Sequence, residues 1–134
     1  MIPYNKQFVS ADDIKSVVKV LKSDFLTQGQ EVPKFENKLK KFVRSKYAVA
    51  VSSASAALHL SCLALGLKKN DIFWTVPNTF VASASCGLHC DAKVDFVDID
   101  KNTNNISIIE LEKKLKMAKK QSKLPKILIP IHFS

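Results

Sequence analysis

Three serines and three alanines fill Val51–Ser52–Ser53–Ala54–Ser55–Ala56–Ala57–Leu58, a segment that leads from a short apolar run into a stretch of helical composition. A strand-to-helix turn of this kind is an anion site in outline. The first N–H groups of a helix have no partner within it, the helix dipole is positive there, serine hydroxyls add donors, and small side chains let a ligand reach the backbone. Ordinary serine capping produces the same pattern. The turn lacks Gly-x-Gly-x-x-Gly and the Walker arrangement, so neither a dinucleotide nor an ATP site is supported. Further along, Trp74–Thr75–Val76–Pro77–Asn78–Thr79–Phe80 leaves a strand and enters a helix, which places Phe80 at the carboxyl edge of a sheet, where open α/β sheets bind ligands. The ring is either core or a stacking platform. One corner suited to phosphate and one carrying an aromatic ring are what a phosphorylated aromatic cofactor requires.

The elements that must position these corners follow from periodicity. Ser10 before Ala11, Asp12 and Asp13 predicts a capped helix to about Ser23, with Ile14, Val17, Val18 and Leu21 forming a stripe that must be buried. A loop over 24–30 follows, with Gly29 as its flexible point. A second helix is expected after Pro33, with Phe35, Leu39 and Phe42 facing inward. The run Tyr47–Ala48–Val49–Ala50–Val51 reads as a strand buried on both faces. Helices over 53–65, 79–89 and 108–119 then alternate with strands over 71–76, 94–98 and 126–131, which implies crossover connections and a mainly parallel sheet. Only three residues follow the last strand, so no helix covers it, and a truncated domain is the expectation.

Composition sets the outer limits. The chain has 134 residues, 46% apolar and 25% charged, enough for one ordinary core and too short for two. Its charge of +9 comes from 21 Lys and Arg against 12 Asp and Glu. The lysines cluster over 34–46 and 113–126 at helical spacing, which marks solvated helix faces rather than a nucleic-acid surface. Cys62, Cys86 and Cys90 have no C-x-x-C spacing and read as free thiols in a reducing compartment. Cys86, His89 and Cys90 lie close on a predicted helix, but no further ligand stands in register, so no metal site is expected. No apolar leader segment and no run long enough to span a membrane occur, which predicts a cytoplasmic protein.

The spaced segments Met1–Ile2–Pro3–Tyr4, Ser23–Asp24–Phe25–Leu26–Thr27–Gln28–Gly29, Ser53–Ala54–Ser55–Ala56–Ala57–Leu58, 74–82 and 94–100, with Leu124–Pro125–Lys126 and Pro130–Ile131–His132–Phe133, closely resemble the pyridoxal-phosphate-dependent sugar aminotransferases, and among them the pseudaminic-acid branch. The resemblance implies the N-terminal portion of the large domain of a fold-type I aminotransferase. Residues 1–46 would be an N-terminal helical segment and 47–134 the first, truncated part of the cofactor-binding α/β domain. It further implies that Ser55 and Ala56 hold the phosphate of pyridoxal 5'-phosphate, that Phe80 stacks on its ring, and that Tyr4 and Thr27 contact substrate. The family's Schiff-base lysine and pyridine-binding aspartate would lie beyond Ser134, leaving no catalytic residue here and this chain inactive alone.

The implied reaction is transamination of a UDP-linked 4-keto-6-deoxy-N-acetylhexosamine with an amino acid donor, L-glutamate, for surface or flagellar glycans, by a homodimer when full length. Another sugar nucleotide, or a non-catalytic fragment acting as a partner subunit, remains as an alternative. Four positions depart from the family pattern. Ser52 stands for asparagine, Ser55 for threonine, Ser85 for asparagine, and Asp91 for a glycine whose positive φ an aspartate adopts at some cost.

Overall fold

The computed structural model describes residues 6–133. The chain divides into two units, Met1–Ala50 and Val51–Ser134.

In the first unit α1 spans Ala11–Leu21 and opens with a capping box. The Asp13 N–H donates to the Ser10 hydroxyl at 3.2 Å, and the Ser10 N–H donates to the Asp13 carboxylate at 2.8 Å. That second bond, from the Ser10 backbone, is the main cause holding the Asp13 carboxyl below its ordinary value. α2 covers Glu31–Phe42, beginning two residues ahead of Pro33, which lies in its first turn. Neither helix has a buried side chain. The expected burial of Ile14, Val17 and Leu21 and of Phe35 and Phe42 is therefore not realised within this unit, and all five are more than half exposed. The reason is physical: two short helices with no sheet beneath them and few contacts along each other offer nothing for an apolar stripe to enter.

The strand expected over residues 47–51 does not form. The segment carries no ladder partner, and Tyr47 and Val49 are exposed. It is tied by side chains at two points, the Ser45 hydroxyl donating to the Tyr47 carbonyl at 2.7 Å and the Ala50 N–H donating to the Glu36 carboxylate at 2.8 Å. An apolar run supplies the hydropathy of a buried strand without supplying the neighbour that makes it one.

The second unit is the α/β part. α3 (Ala54–Ala64) precedes β1 (Ile72–Thr75), α4 (Ala82–Leu88), β2 (Lys93–Phe96), α5 (Ile108–Lys120) and β3 (Ile127–Leu128). The strands are parallel in the order β2-β1-β3, with Phe73 beside Val94 and Ile127, and Trp74 beside Asp95 and Leu128. The last strand is shorter than its apolar run. Its pairing continues one step, through the Ile129 N–H on the Trp74 carbonyl at 2.9 Å and the Thr75 hydroxyl on the Ile129 carbonyl at 3.0 Å.

Alternation along β1 builds two cores. Phe73 enters one with Cys62, Leu67, Cys86, Cys90 and Ile127, beneath α3 and α4. Trp74 enters the other with Val97, Ala118 and the inner face of α5. Lys114 closes that second core, with its ammonium 4.9 Å from the Trp74 ring centre and 2.6 Å from the Asp95 carboxylate. α4 lies close on the sheet because residue 87 is glycine, where a Cβ would come within 2.9 Å of Phe73 and Val94.

Four helices end in one motif, with a residue in the left-handed region and an N–H bonded back to the carbonyl five residues earlier. Gly66 fills that position after α3 with φ 74°, but Arg44, Asp91 and Ser122 fill it elsewhere with φ of 54°, 55° and 54°. The backbone bonds that close the motif include Ala92 to Gly87 at 3.1 Å and Lys123 to Ala118 at 2.8 Å. Asp91 thus adopts the positive φ that a glycine would take without strain.

Candidate functional site

Ser53 is the N-cap of α3, extended at φ −160° and ψ 161°, with its hydroxyl accepting the Ala56 N–H at 3.1 Å. One of the donors assigned to phosphate is therefore already bonded, while the N–H groups of Ala54 and Ser55, in the first turn, have no acceptor within the helix. Ser52, Ser53 and Ser55 are exposed. α1, α2 and α5 place acids in their first turns, but α3 has none, so its positive end is uncompensated.

The far end of α3 fixes its direction. The Lys126 ammonium donates to the Gly66 carbonyl just past α3 and, at 3.0 Å, to Asp71 at the start of β1. The end of α3 therefore sits at the amino edge of the sheet. Its N-terminus, about 16 Å away at 1.5 Å per residue, lies toward the carboxyl edge.

The second corner stands at that same edge. Past β1 the chain turns through Pro77–Asn78–Thr79–Phe80, with the Thr79 N–H on the Pro77 carbonyl at 3.2 Å and the Thr79 hydroxyl on the Ser83 hydroxyl at 2.9 Å. The expected helix over 79–89 begins later, at Ala82, so Phe80 lies in the turn and is 75% exposed, while Ala82 and Ser83 behind it are buried. Of the two readings of Phe80, core is excluded within this unit. Reading the sequence for single residues missed the Thr79–Ser83 hydroxyl pair that braces this turn; its signal was two hydroxyl residues four apart.

Ser55, Ala56 and Phe80 are thus brought to one sheet edge in one unit. Thr27 is exposed in the loop between α1 and α2, in the other unit. A hollow there is lined by Lys19, Asp24, Phe25, Gly29 and Glu31 and does not include it. Tyr4 lies outside the described residues. Another hollow, between β2 and α5, is lined by Phe96, Val97, Lys113 and Met117 and includes none of the expected site residues.

Residues 8–134 match the model of the DegT/DnrJ/EryC1/StrS aminotransferase family. The chain belongs to that family. It is 43% identical over 115 residues to the UDP-4-amino-4,6-dideoxy-N-acetyl-beta-L-altrosamine transaminase of Campylobacter jejuni (serotype O:23/36), a match covering 86% of this chain and 30% of that protein. Among solved structures, Spr1654 from Streptococcus pneumoniae in its PMP form aligns with a TM-score of 0.84 at 27% identity, covering 98% of this chain and 32% of that one. A GDP-4-keto-6-deoxymannose-3-dehydratase with bound GDP-perosamine aligns with a TM-score of 0.78 at 33% identity, covering 84% and 31%. The chain spans about a third of the length of the relatives it matches.

These enzymes depend on pyridoxal phosphate, and the fold is the α/β part of an aminotransferase. The α3 corner fits that cofactor's phosphate: two N–H groups without a partner in the helix, an exposed Ser55 hydroxyl, and a first turn that holds no acid and no side chain larger than serine or alanine. Among the described residues no helix is long and apolar enough to cross a membrane.

Proposed function

We propose that this chain supplies the phosphate corner and the ring-stacking face of an enzyme that aminates a keto-sugar nucleotide. The observation that carries the reading is the first turn of α3, which among the described residues is the one turn of the four longer helices that offers unbonded N–H groups with no acid beside them. In this reading Ser55 donates its hydroxyl and the backbone of residues 54–56 its N–H groups to the cofactor phosphate. The Ala56 N–H is shared with, or released from, Ser53. Phe80 covers one face of the pyridine ring, and Tyr4 and Thr27 contact the sugar nucleotide. When bound, pyridoxal phosphate supplies an electron-withdrawing ring that carries the amino group between donor and acceptor. The 43% identity to the altrosamine transaminase favours a UDP-linked 4-keto-6-deoxy-N-acetylhexosamine as acceptor, and the reading is completed by glutamate as donor and a role in pseudaminic acid synthesis.

One observation favours a second outcome at the same site, since a sugar dehydratase is 33% identical over this region. An enzyme in which this chain is completed to the length of its relatives, incubated with the UDP-4-keto sugar, glutamate and cofactor, separates the two: an amino sugar supports the first, a deoxygenated sugar the second. The site itself is tested by comparing pyridoxal phosphate with pyridoxal. The phosphate form is expected to bind more tightly, and equal affinities would remove α3 from the site.

A further inference from the structure

We propose that His59 and His89 together bind a divalent first-row metal ion, taken here as Zn2+, linking α3 to the end of α4. Read along the chain, His89 had no further ligand in register; the fold brings one from thirty residues away. The two imidazole centres lie 5.3 Å apart with their planes at 69°. Two imidazoles on one tetrahedral ion, with metal–nitrogen bonds of about 2.0–2.1 Å, hold their ring centres about 5 Å apart. The separation of the two ring centres therefore matches that of a shared ion, with the rings turned so that one nitrogen of each faces it.

His89 is exposed and His59 half-buried, so both rings can turn and water can complete the coordination shell. The neighbouring thiols are excluded as ligands by burial. Cys62 and Cys86 are 1% exposed and Cys90 7%, packed into the apolar core beneath the helices. Among the described residues no three His, Cys, Asp or Glu side chains are placed to share an ion, so the protein supplies two ligands and water the rest. His59 lies one turn beyond Ser55 on α3, and α4 begins two residues past Phe80. An ion here would tie together the two helices that carry the candidate corners and stabilise the folded unit by mass action.

Calorimetric titration of the metal-free protein with zinc chloride should show one saturable site per chain, weakened at least tenfold by His59→Asn and equally by His89→Asn. Cobalt(II) in place of zinc should give a spectrum without a thiolate-to-metal charge-transfer band. Should either variant fail to fold, the unmodified protein still decides the matter, because zinc should protect both histidines from diethyl pyrocarbonate, with peptide mapping as the readout. Absence of a saturable site, binding unchanged by either substitution, a thiolate band, or histidines that react equally with and without zinc would each overturn the proposal.

Discussion

Two serines two residues apart divide the work at the start of α3. The Ser53 hydroxyl is bonded to the Ala56 N–H and holds the helix end, whereas Ser55 has an exposed hydroxyl available to a ligand. Ser53→Ala is expected to lower stability by about 1 kcal/mol, the usual cost of a lost cap, without weakening pyridoxal phosphate binding. Ser55→Ala should do the opposite, lowering affinity by about 1–3 kcal/mol with the melting temperature unchanged. Thermal melts and a cofactor titration on both variants check this, and loss of stability in Ser55→Ala would reassign the cap. The thiols behind this corner are inert by the same burial that places them in the core. Burial, with Cys86 beside it, pushes the Cys62 thiol up to about 12, and burial likewise raises Cys90. Since only the thiolate reacts, Cys62 is almost wholly unreactive near neutral pH. A thiol-reactive disulfide reagent should label almost none of Cys62 in the native protein and all of it after denaturation.

Helix ends show how the elements are held in a chain with only three glycines. The chain reverses after α4 and α5 through left-handed residues that carry side chains, Asp91 and Ser122, whose Cβ atoms resist that conformation. Asp91→Gly and Ser122→Gly are each expected to raise stability by about 0.5–1 kcal/mol, the Asp91 change less, because aspartate tolerates this region better than most residues. Chemical denaturation measures both. A loss of stability in Ser122→Gly would mean that the entropy glycine adds to the unfolded chain outweighs the relieved strain.

Across the α/β unit, one lysine gathers three elements far apart in sequence. Lys126, at the start of β3, bonds the Gly66 carbonyl after α3 and the Asp71 carboxylate before β1. Hydrogen bonding from the Lys126 ammonium is the first cause holding the Asp71 carboxyl below its ordinary value, assisted by the Lys68 N–H. A carboxyl depressed in the folded state contributes stability that is present above its unfolded value, about 3.9, and is lost as pH falls through the lower folded value. Asp71→Asn should therefore melt below the wild type at neutral pH, and the gap should close on acidification below about pH 4. A gap that persists in strong acid would show that the charge is not what ties these elements.

What the sequence alone determined was the alternation of helices and strands from residue 53 onward, the capping of α1, the positive φ at Asp91, the parallel sheet and the family. Each rests on local chemistry: periodicity, a hydroxyl before two acids, small residues at a turn, or motifs in order. Tertiary structure decided the rest. Residues 47–51 had strand-like hydropathy but no ladder neighbour, and the stripes of α1 and α2 had helical spacing but nothing in their unit to enter. Phe80 was open between core and surface until α4 began two residues beyond it. His59 and His89, thirty residues apart, became neighbours only because α3 packs against α4. In each case the deciding quantity was the identity of the neighbour, which is set by long-range packing and has no signature within a short window of sequence.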